Sequence, residues 1–429
     1  MPQPLQQRLH NVLAAPFTDA ELARLRRDTP AWGRHAHFAH GSASLPPEAV
    51  YAAWQAWVDT ERQMGAQRAA EHHAGALQAA RASVARLVNA QPRQIAFFDS
   101  ASHAWSAAVS ATQTAAQPVH VVTTHDEYGA NALALIHAAQ RGRLAFSVMS
   151  SRPAQRSLVE RLDDELQRVP DAHMPVVSLS VVPTAWGVAT PLRGVAQRVH
   201  ARGGLLLLDA SHAVGQLPVD VRALGCDMLV FPSRKWLRGP KGLGVLCLSD
   251  RALARLGAPD TLDVAGATWL ADMRMQLHAD ARRFEGNEFN PGLRLALGAA
   301  SDCALAIGVE RIAGRNAQVR MQVACTLEER FGWQALEAGH ADATALMTYA
   351  LPPAAGEADA FVRRLWDAGV NASVVGTQHA RWAMEAMKAT GASALLRLTP
   401  HCLTDESEIE RLALAIAAAM PRRGASRRS

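Results

Sequence analysis

Seven short apolar runs lie between residues 94 and 249: QIAFF, VHVVTT, LAFSVM, PVVSLSVV, GLLLLDA, DMLVFP and GVLCLS. Each is bounded by polar or turn residues, and helical stretches separate several of them. A run that is apolar at consecutive positions suits a strand covered on both faces, whereas a half-exposed strand would alternate. The expectation is an α/β fold, with a mostly parallel seven-stranded sheet sandwiched between helices. Around it, PPEAVYAAWQAWVDTERQMGAQRAAEHHAGALQAARASVARLVNA has helical periodicity and an Ala-rich composition. One long helix is predicted over NPGLRLALGAASDCALAIGVERIAGRNAQVRMQVACTLEERF, and ALMTYALP, ALLRLTP and DESEIERLALAIAAAM give weaker strand and helix signals. The implied organisation is a large domain over 46–290 and a smaller α+β C-terminal domain over 291–420. An N-terminal segment, 1–45, packs on the small domain, and a basic tail occupies 421–429.

The 429 residues, 49% hydrophobic and 19% charged, can bury cores of that size. A net charge of +5 could suggest nucleic acid, but much of the excess sits in the Arg-rich first forty residues and in PRRGASRRS, and no recognition motif accompanies it. Nucleic acid is therefore not an expected partner. The five cysteines show no CxxC spacing, so neither a disulfide framework nor a metal site is indicated. No window approaches the roughly 18 apolar residues of a membrane span, and the start MPQPLQQRLHNVLAAPF lacks a long apolar core. A reducing cytoplasm is the expected location.

In an open α/β sheet, ligands lie beyond the carboxyl ends of the strands, so polar residues placed there carry the functional information. Four such places stand out. In LLLLDASHAVGQ, four leucines end at Asp209, with His212 three residues on. A carboxylate leaving so apolar a strand is costly to desolvate unless it meets a positive charge. In DMLVFPSRKWLRGPKG, Arg234, Lys235, Arg238 and Lys241 crowd the exit of another strand, closed by Gly239, Pro240 and Gly242. In FFDSASHAW a strand gives way to small residues and then a helix, an arrangement that holds a phosphate on backbone N–H groups. In TTHDEYGAN, Tyr128 stands near the end of another strand. Singly, Asp209 could cap a helix, Lys235 could be a solvated loop cation, SAS could be an ordinary N-cap and Tyr128 a core aromatic. Together they supply an acid for a ring nitrogen, an amine for an aldehyde, a phosphate cradle and a stacking aromatic, the parts needed to hold pyridoxal 5'-phosphate.

The stretch LLLLDASHAVGQLPVDVRALGCDMLVFPSRKWLRGPKGLGVL resembles the core signature of the class V aminotransferase group of fold type I pyridoxal-phosphate enzymes. That group includes cysteine desulfurases, isopenicillin N epimerase-like proteins and related lyases. The similarity runs from HFAHGSASLPPEAV to LRLTPHCLTDESEIERL, close to the full chain. It implies that Lys235 forms the Schiff base, Asp209 pairs with the ring nitrogen and His212 hydrogen-bonds the ring hydroxyl. Tyr128 would stack on the ring, Ala101 and Ser102 would cradle the phosphate with Arg234, and Thr184 in VVPTAWG would lie near the ring oxygen. It also implies a homodimer with the active site at its interface. Two positions depart from the pattern. Pro232 stands where a phosphate-binding Ser or Thr is common, with Ser233 and Arg234 as candidate compensation. FEGNEFN lacks the Gly-Thr pair that reaches the partner's phosphate, with Asn287 as a candidate substitute.

Bound to this cofactor, the Cα proton of an amino acid becomes acidic; Lys235 is placed to remove it, and Asp209 keeps the ring nitrogen protonated. LLRLTPHCLTD supplies Arg397, whose planar fork fits a substrate carboxylate, although pairing with Asp405 or Glu406 would explain it too. A persulfide mechanism is disfavoured because 340–396 holds no cysteine, and Cys325 and Cys402 read as buried small hydrophobes. TERQMGAQRAAEH, FFDSASHAW, DEYGAN, VVPTAWG, SRKWLRGPKG and ARRFEGNE together are most similar to the lyase branch that contains hercynylcysteine sulfoxide lyase of ergothioneine biosynthesis, with isopenicillin N epimerase-like proteins nearby. That resemblance implies β-elimination from an S-substituted cysteine or its sulfoxide, with His40, and with Trp186, Trp269 or His379, as candidates to receive a head group. A class V aminotransferase or amino-acid epimerase, and a non-catalytic cofactor-binding regulator, stay open as alternatives.

Overall fold

The computed structural model describes residues 15–113, 117–151, 156–387 and 394–420. The tail 421–429 and residues 1–14 lie outside the described residues. All seven apolar runs form strands of one sheet: β1 (Ile95–Phe98), β2 (Val119–Thr124), β3 (Ala145–Met149), β4 (Met174–Ser180), β5 (Leu205–Asp209), β6 (Met228–Pro232) and β7 (Gly244–Leu248). Their spatial order is β1-β7-β6-β5-β4-β2-β3. Every pair is parallel except those made by β7, which runs antiparallel to both β1 and β6. Both faces are covered, as the unbroken apolar runs require. Leu206 and Leu208 enter one core while Leu205 and Leu207, pointing the opposite way along the same strand, enter the other.

Among the helices are α1 (Asp19–Arg27), α2 (Glu48–Met64), α3 (Ala74–Leu87), α4 (Ala101–Thr112), α5 (Gly129–Gln140), α6 (Leu158–Arg168), α7 (Val195–Ala201), α8 (Pro291–Ile307), α9 (Val309–Phe331), α10 (Ala358–Asp367), α11 (Thr377–Ala386) and α12 (Glu406–Ala419). The single long helix expected over 290–331 is two, α8 and α9, bent by 77° at Gly308, whose φ of 89° takes it out of the helical region. Helix α8 then packs on α2 and α3, with Gly298 so near Ala80 that a Cβ there would stand 2.5 Å from the alanine methyl. Ala296, Leu297 and Ala300 thereby join the large-domain core, so the boundary expected at 290/291 moves beyond this helix.

The C-terminal unit is built on a three-stranded antiparallel sheet, β10 (Met347–Ala350), β12 (Ala394–Leu398) and β11 (Ser373–Gly376), with β12 in the centre. The N-terminal segment lies on it: Ala36–His37 pairs in parallel with Val370–Asn371, and Ala39 bridges Thr399. The two units meet at Gly187, whose carbonyl accepts from Thr344 N at 2.7 Å and Thr344 Oγ1 at 2.9 Å, while its N–H donates to Glu337 Oε1 at 2.9 Å. A hairpin, β8 (Ala267–Ala271) and β9 (Arg274–Leu277), projects from the large unit.

Candidate active site

Five sheet strands deliver side chains to one cleft of about 290 Å³. Its lining comes from the carboxyl ends of β1, β2, β4, β5 and β6, together with Lys241, Gly242 and Leu243 ahead of the reversed strand β7. Because β7 is antiparallel, its amino end meets the carboxyl ends of its neighbours, and so the Lys241 loop reaches the same rim.

Asp209 closes β5 and is nearly buried. Its Oδ1 accepts from Ser211 N at 2.8 Å and its Oδ2 from Asn131 Nδ2 at 3.2 Å. Lys235 leaves β6 three residues past Pro232, and its Nζ stands 3.1 Å from His212 Nε2 and 5.9 Å from the centroid of the Tyr128 ring. Burial pushes the Lys235 amine down to about 7; Asp209 opposes this while Arg234 and Arg397 assist it. A neutral amine is therefore accessible near neutral pH. His212 is held well below its ordinary value by burial and then by the charges of Lys235, Arg397 and Arg234, so its ring is neutral.

At the far end of the cleft, Ser100 caps α4 by accepting from His103 N at 3.1 Å, which leaves Ala101 and Ser102 at the rim with the positive end of the helix. Arg234 and Lys241 line the same cleft. Gly244 makes this packing possible, since a Cβ on it would fall 2.2 Å from the Ser100 carbonyl carbon.

Arg397, on β12, is buried. Its Nη1 donates to Thr184 Oγ1 at 2.6 Å, its Nη2 to Ser42 Oγ at 2.7 Å and its Nε to Ser373 Oγ at 3.3 Å. All of these partners are neutral, and among the described residues no carboxylate pairs with it. Asp405, one alternative partner, instead caps α12 by accepting from Glu408 N at 3.0 Å. Burial lowers the guanidinium to about 10, still charged at neutrality. Thr184 lines the cleft, so the cation is tied to its wall.

Eight of the twelve sequence candidates meet at this cleft: Ala101, Ser102, Tyr128, Thr184, Asp209, His212, Arg234 and Lys235. Arg397 joins them through Thr184. The remaining three are corrected. Ser233 is fully buried and its hydroxyl donates to the Pro240 carbonyl, so it cannot replace the hydroxyl absent at Pro232; Lys241 offers positive charge there instead. His40 lies behind the cleft, bonded through Nδ1 to Ser44 Oγ at 2.5 Å and stacked on His401 at 4.7 Å, so it does not line the substrate space. Asn287 is exposed, with its N–H on Asp263 Oδ1 at 3.0 Å, and does not line the cleft of its own chain.

Trp186 packs edge-on to His340 outside the cleft, and Trp269 is 81% exposed on the projecting hairpin. His379 is exposed on α11, where the charges of Arg397 and Lys235 help burial to lower its pKa. Arg238 is structural: buried, it donates to Thr29 Oγ1 at 2.6 Å and to the Leu45 carbonyl at 2.8 Å. Cys402 is buried, but Cys325, expected to be buried, is exposed on α9. Sequence reasoning missed Asn131, Glu127 and Ser42, and it placed Lys241 in the cation cluster without a role at the site. The i, i+4 spacing of Glu127 and Asn131 was the available signal for the first two.

Residues 37–412 match the model of the aminotransferase class-V family. The chain belongs to that family. It is 29% identical over 365 residues, 84% of each chain, to a probable hercynylcysteine sulfoxide lyase of Mycobacterium tuberculosis (strain CDC 1551 / Oshkosh). Among solved structures, the apo cysteine desulfurase of Thermococcus onnurineus NA1 superposes with a TM-score of 0.80 at 19% identity, covering 92% of this chain and 98% of that one. The K223A variant of C-DES with glycine covalently linked to its pyridoxal-phosphate cofactor superposes with a TM-score of 0.78 at 18% identity, covering 91% and 98%. These likenesses establish the fold as fold type I, and class-V membership makes the chain a pyridoxal-phosphate-dependent enzyme. The cleft fits that group: a buried acid, an amine beside a flat aromatic ring, and two cations at a helix N-terminus stand in one space.

Proposed function

We propose that this enzyme is a carbon–sulfur β-lyase acting on an S-substituted cysteine or its sulfoxide, of the kind met in ergothioneine biosynthesis, with release of pyruvate and ammonia. The observation that carries the reading is a cleft that joins Lys235, Asp209 and a carboxylate-free Arg397 without a thiol: all five cysteines are described and none lines it. Sulfur transfer to the protein would need a thiolate, whereas elimination needs only a base and a leaving group. The 84% mutual coverage with a relative named for sulfoxide lyase chemistry supports the same choice.

Bound pyridoxal phosphate supplies an electron sink for the bond electrons at Cα. Asp209 would keep the proton on the ring nitrogen of the bound group, Arg234, Lys241 and the α4 N-terminus would hold its phosphate, and Tyr128 would cover its ring. Arg397 grips the substrate carboxylate through its planar fork and so sets which Cα bond faces Lys235. The Lys235 amine takes the Cα proton. The Cβ–S bond then breaks, its electron pair leaves with sulfur, and a proton delivered to sulfur completes the thiol or sulfenic acid. Water hydrolyses the remaining three-carbon unit to pyruvate and ammonia. Continuous pyruvate release from S-substituted cysteines and their sulfoxides, without an added keto acid, tests the proposal. Turnover that requires a keto acid would make the enzyme an aminotransferase instead.

We also propose a homodimer. Val264, Trp269, Leu270, Met273 and Met275 are 79%, 81%, 55%, 98% and 58% exposed around one hairpin, an apolar surface that a second copy would cover. Asn287, exposed on the segment that follows, would face that partner. Light scattering on the purified holoenzyme decides the mass.

A further inference from the structure

Beneath the cleft lies a second buried carboxylate that the chemistry above does not use. Glu127 is 2% exposed, and four donors converge on it. Thr123 Oγ1 and Ser178 Oγ each stand 2.8 Å from Oε2; Asn131 Nδ2 at 2.9 Å and Tyr128 N at 3.0 Å reach Oε1. Ser178 Oγ accepts from Trp105 Nε1 at 3.2 Å, so its own hydrogen is free for Glu127. These groups come from β2, β4, α4 and the start of α5, so the acid is fixed to several elements at once. A buried carboxylate held by four donors has little freedom to turn.

Asn131 connects this anchor to the cleft. Its amide nitrogen has two hydrogens and two carboxylate acceptors, Glu127 Oε1 at 2.9 Å and Asp209 Oδ2 at 3.2 Å. A flipped amide would present its oxygen to both acids, so the two carboxylates together lock its orientation. Asp209 in turn has one donor on each oxygen, Asn131 on Oδ2 and Ser211 N on Oδ1. Resting on the proposed pairing of Asp209 with the ring nitrogen, we infer that Glu127 is a positioning residue which acts through Asn131 to hold the Asp209 carboxylate in the orientation that meets that nitrogen. Burial and the nearby Asp209 both push the Glu127 pKa up, which is the cost of placing a second acid there; the bonds from Asn131, Ser178 and Thr123 offset part of it.

The experiment uses the full-length holoenzyme and its cofactor-free form, with Asn131→Ala, Glu127→Gln, the double variant, and Asp209→Asn as reference. The readouts are the dissociation constant for pyridoxal phosphate, the pH midpoint of the bound cofactor's absorption band, and kcat and KM separately, with melting temperature reporting the fold. Loss of one hydrogen bond to a charged group is worth about a tenfold effect. Asn131→Ala is expected to lower kcat about tenfold with KM within about threefold, and to move the pH midpoint in the direction that Asp209→Asn moves it. The double variant is expected to be no worse than Asn131→Ala alone, because Glu127 acts through that amide. Additive losses in the double variant would overturn the inference, as would an unchanged midpoint and kcat in Asn131→Ala while Asp209→Asn alters both. If Asp209→Asn itself changes nothing, the assigned role of Asp209 fails and the inference falls with it. Glu127→Gln keeps the volume of the side chain, so the comparison does not depend on a variant that opens a cavity.

Discussion

His212 and Lys235 face each other at 3.1 Å, imidazole Nε2 to amine Nζ. The other ring nitrogen, Nδ1, accepts from Trp236 Nε1 at 3.3 Å, and an indole N–H can only donate. The ring proton therefore sits on Nε2 and points at the lysine, which favours the neutral amine as acceptor. His212→Phe keeps the burial and removes this donor. The pH at which the cofactor-free protein captures pyridoxal phosphate is expected to rise, by about one unit for a hydrogen bond worth about 1 kcal/mol. Stopped-flow absorbance across pH measures it, and an unmoved midpoint would deny His212 this role.

Lys235 titrates near 7 in the folded chain against an ordinary value of 10.5. Between those values the unfolded chain binds more protons, so this group makes the cofactor-free protein more stable as pH rises from about 7 to 10.5, and contributes no slope below that interval. Lys235→Met should flatten that rise and raise the melting temperature near pH 7, by about 2 °C for each kcal/mol regained. It should also abolish covalent attachment of the cofactor. Calorimetry of the apo proteins across pH checks the first outcome, and borohydride trapping the second.

Asp209→Asn keeps the shape of the side chain and removes its charge. Cofactor binding is expected to persist in weakened form while kcat falls by about 10² or more, because a neutral amide does not hold the ring proton. Equilibrium dialysis beside steady-state kinetics separates the two effects.

Arg397→Lys retains a cation but loses the fork. KM for the amino-acid substrate is expected to rise about tenfold or more with a smaller change in kcat, and decarboxylated analogues should lose their disadvantage. Equal KM values in the variant and the parent would place the substrate carboxylate elsewhere.

Gly187 lies under the small unit, and a Cβ on it would fall 1.7 Å from the Leu346 carbonyl oxygen. Gly187→Ala should cost about 1–3 kcal/mol by overpacking. It should also raise KM, since the same loop carries Thr184 to Arg397. Chemical denaturation and kinetics on one preparation test both.

The sheet was legible because most of its strands are buried on two faces and so read as unbroken apolar runs, as in Leu205–Leu208, while the edge strand β3 is only partly buried. Asp209 and Lys235 were legible because charge at the exit of such a run has no cheap structural explanation. Ser233 misled because its neighbours Pro232 and Arg234 line the cleft while its own hydroxyl turns inward onto Pro240; His40 belongs to a segment that does not line the cleft, and its ring turns onto Ser44. Glu127 and Asn131 stood in a motif from which only the aromatic was singled out, and Asp209, which Asn131 bonds, is 78 residues beyond it. Contacts of that separation leave no local pattern to read. Gly308 passed unnoticed because a helix can tolerate a single glycine, and only its left-handed φ shows the break.

The Arg397 hydroxyl cage draws Ser42, Thr184 and Ser373 from the leading segment, the large unit and the small unit, whereas Lys235, Asp209 and Tyr128 all belong to the large unit alone. On the proposed roles, the prosthetic group and the substrate carboxylate are thus held from separable parts of one polypeptide, so loosening the packing between the two units would weaken the grip on the amino acid before it disturbed the attachment of the prosthetic group.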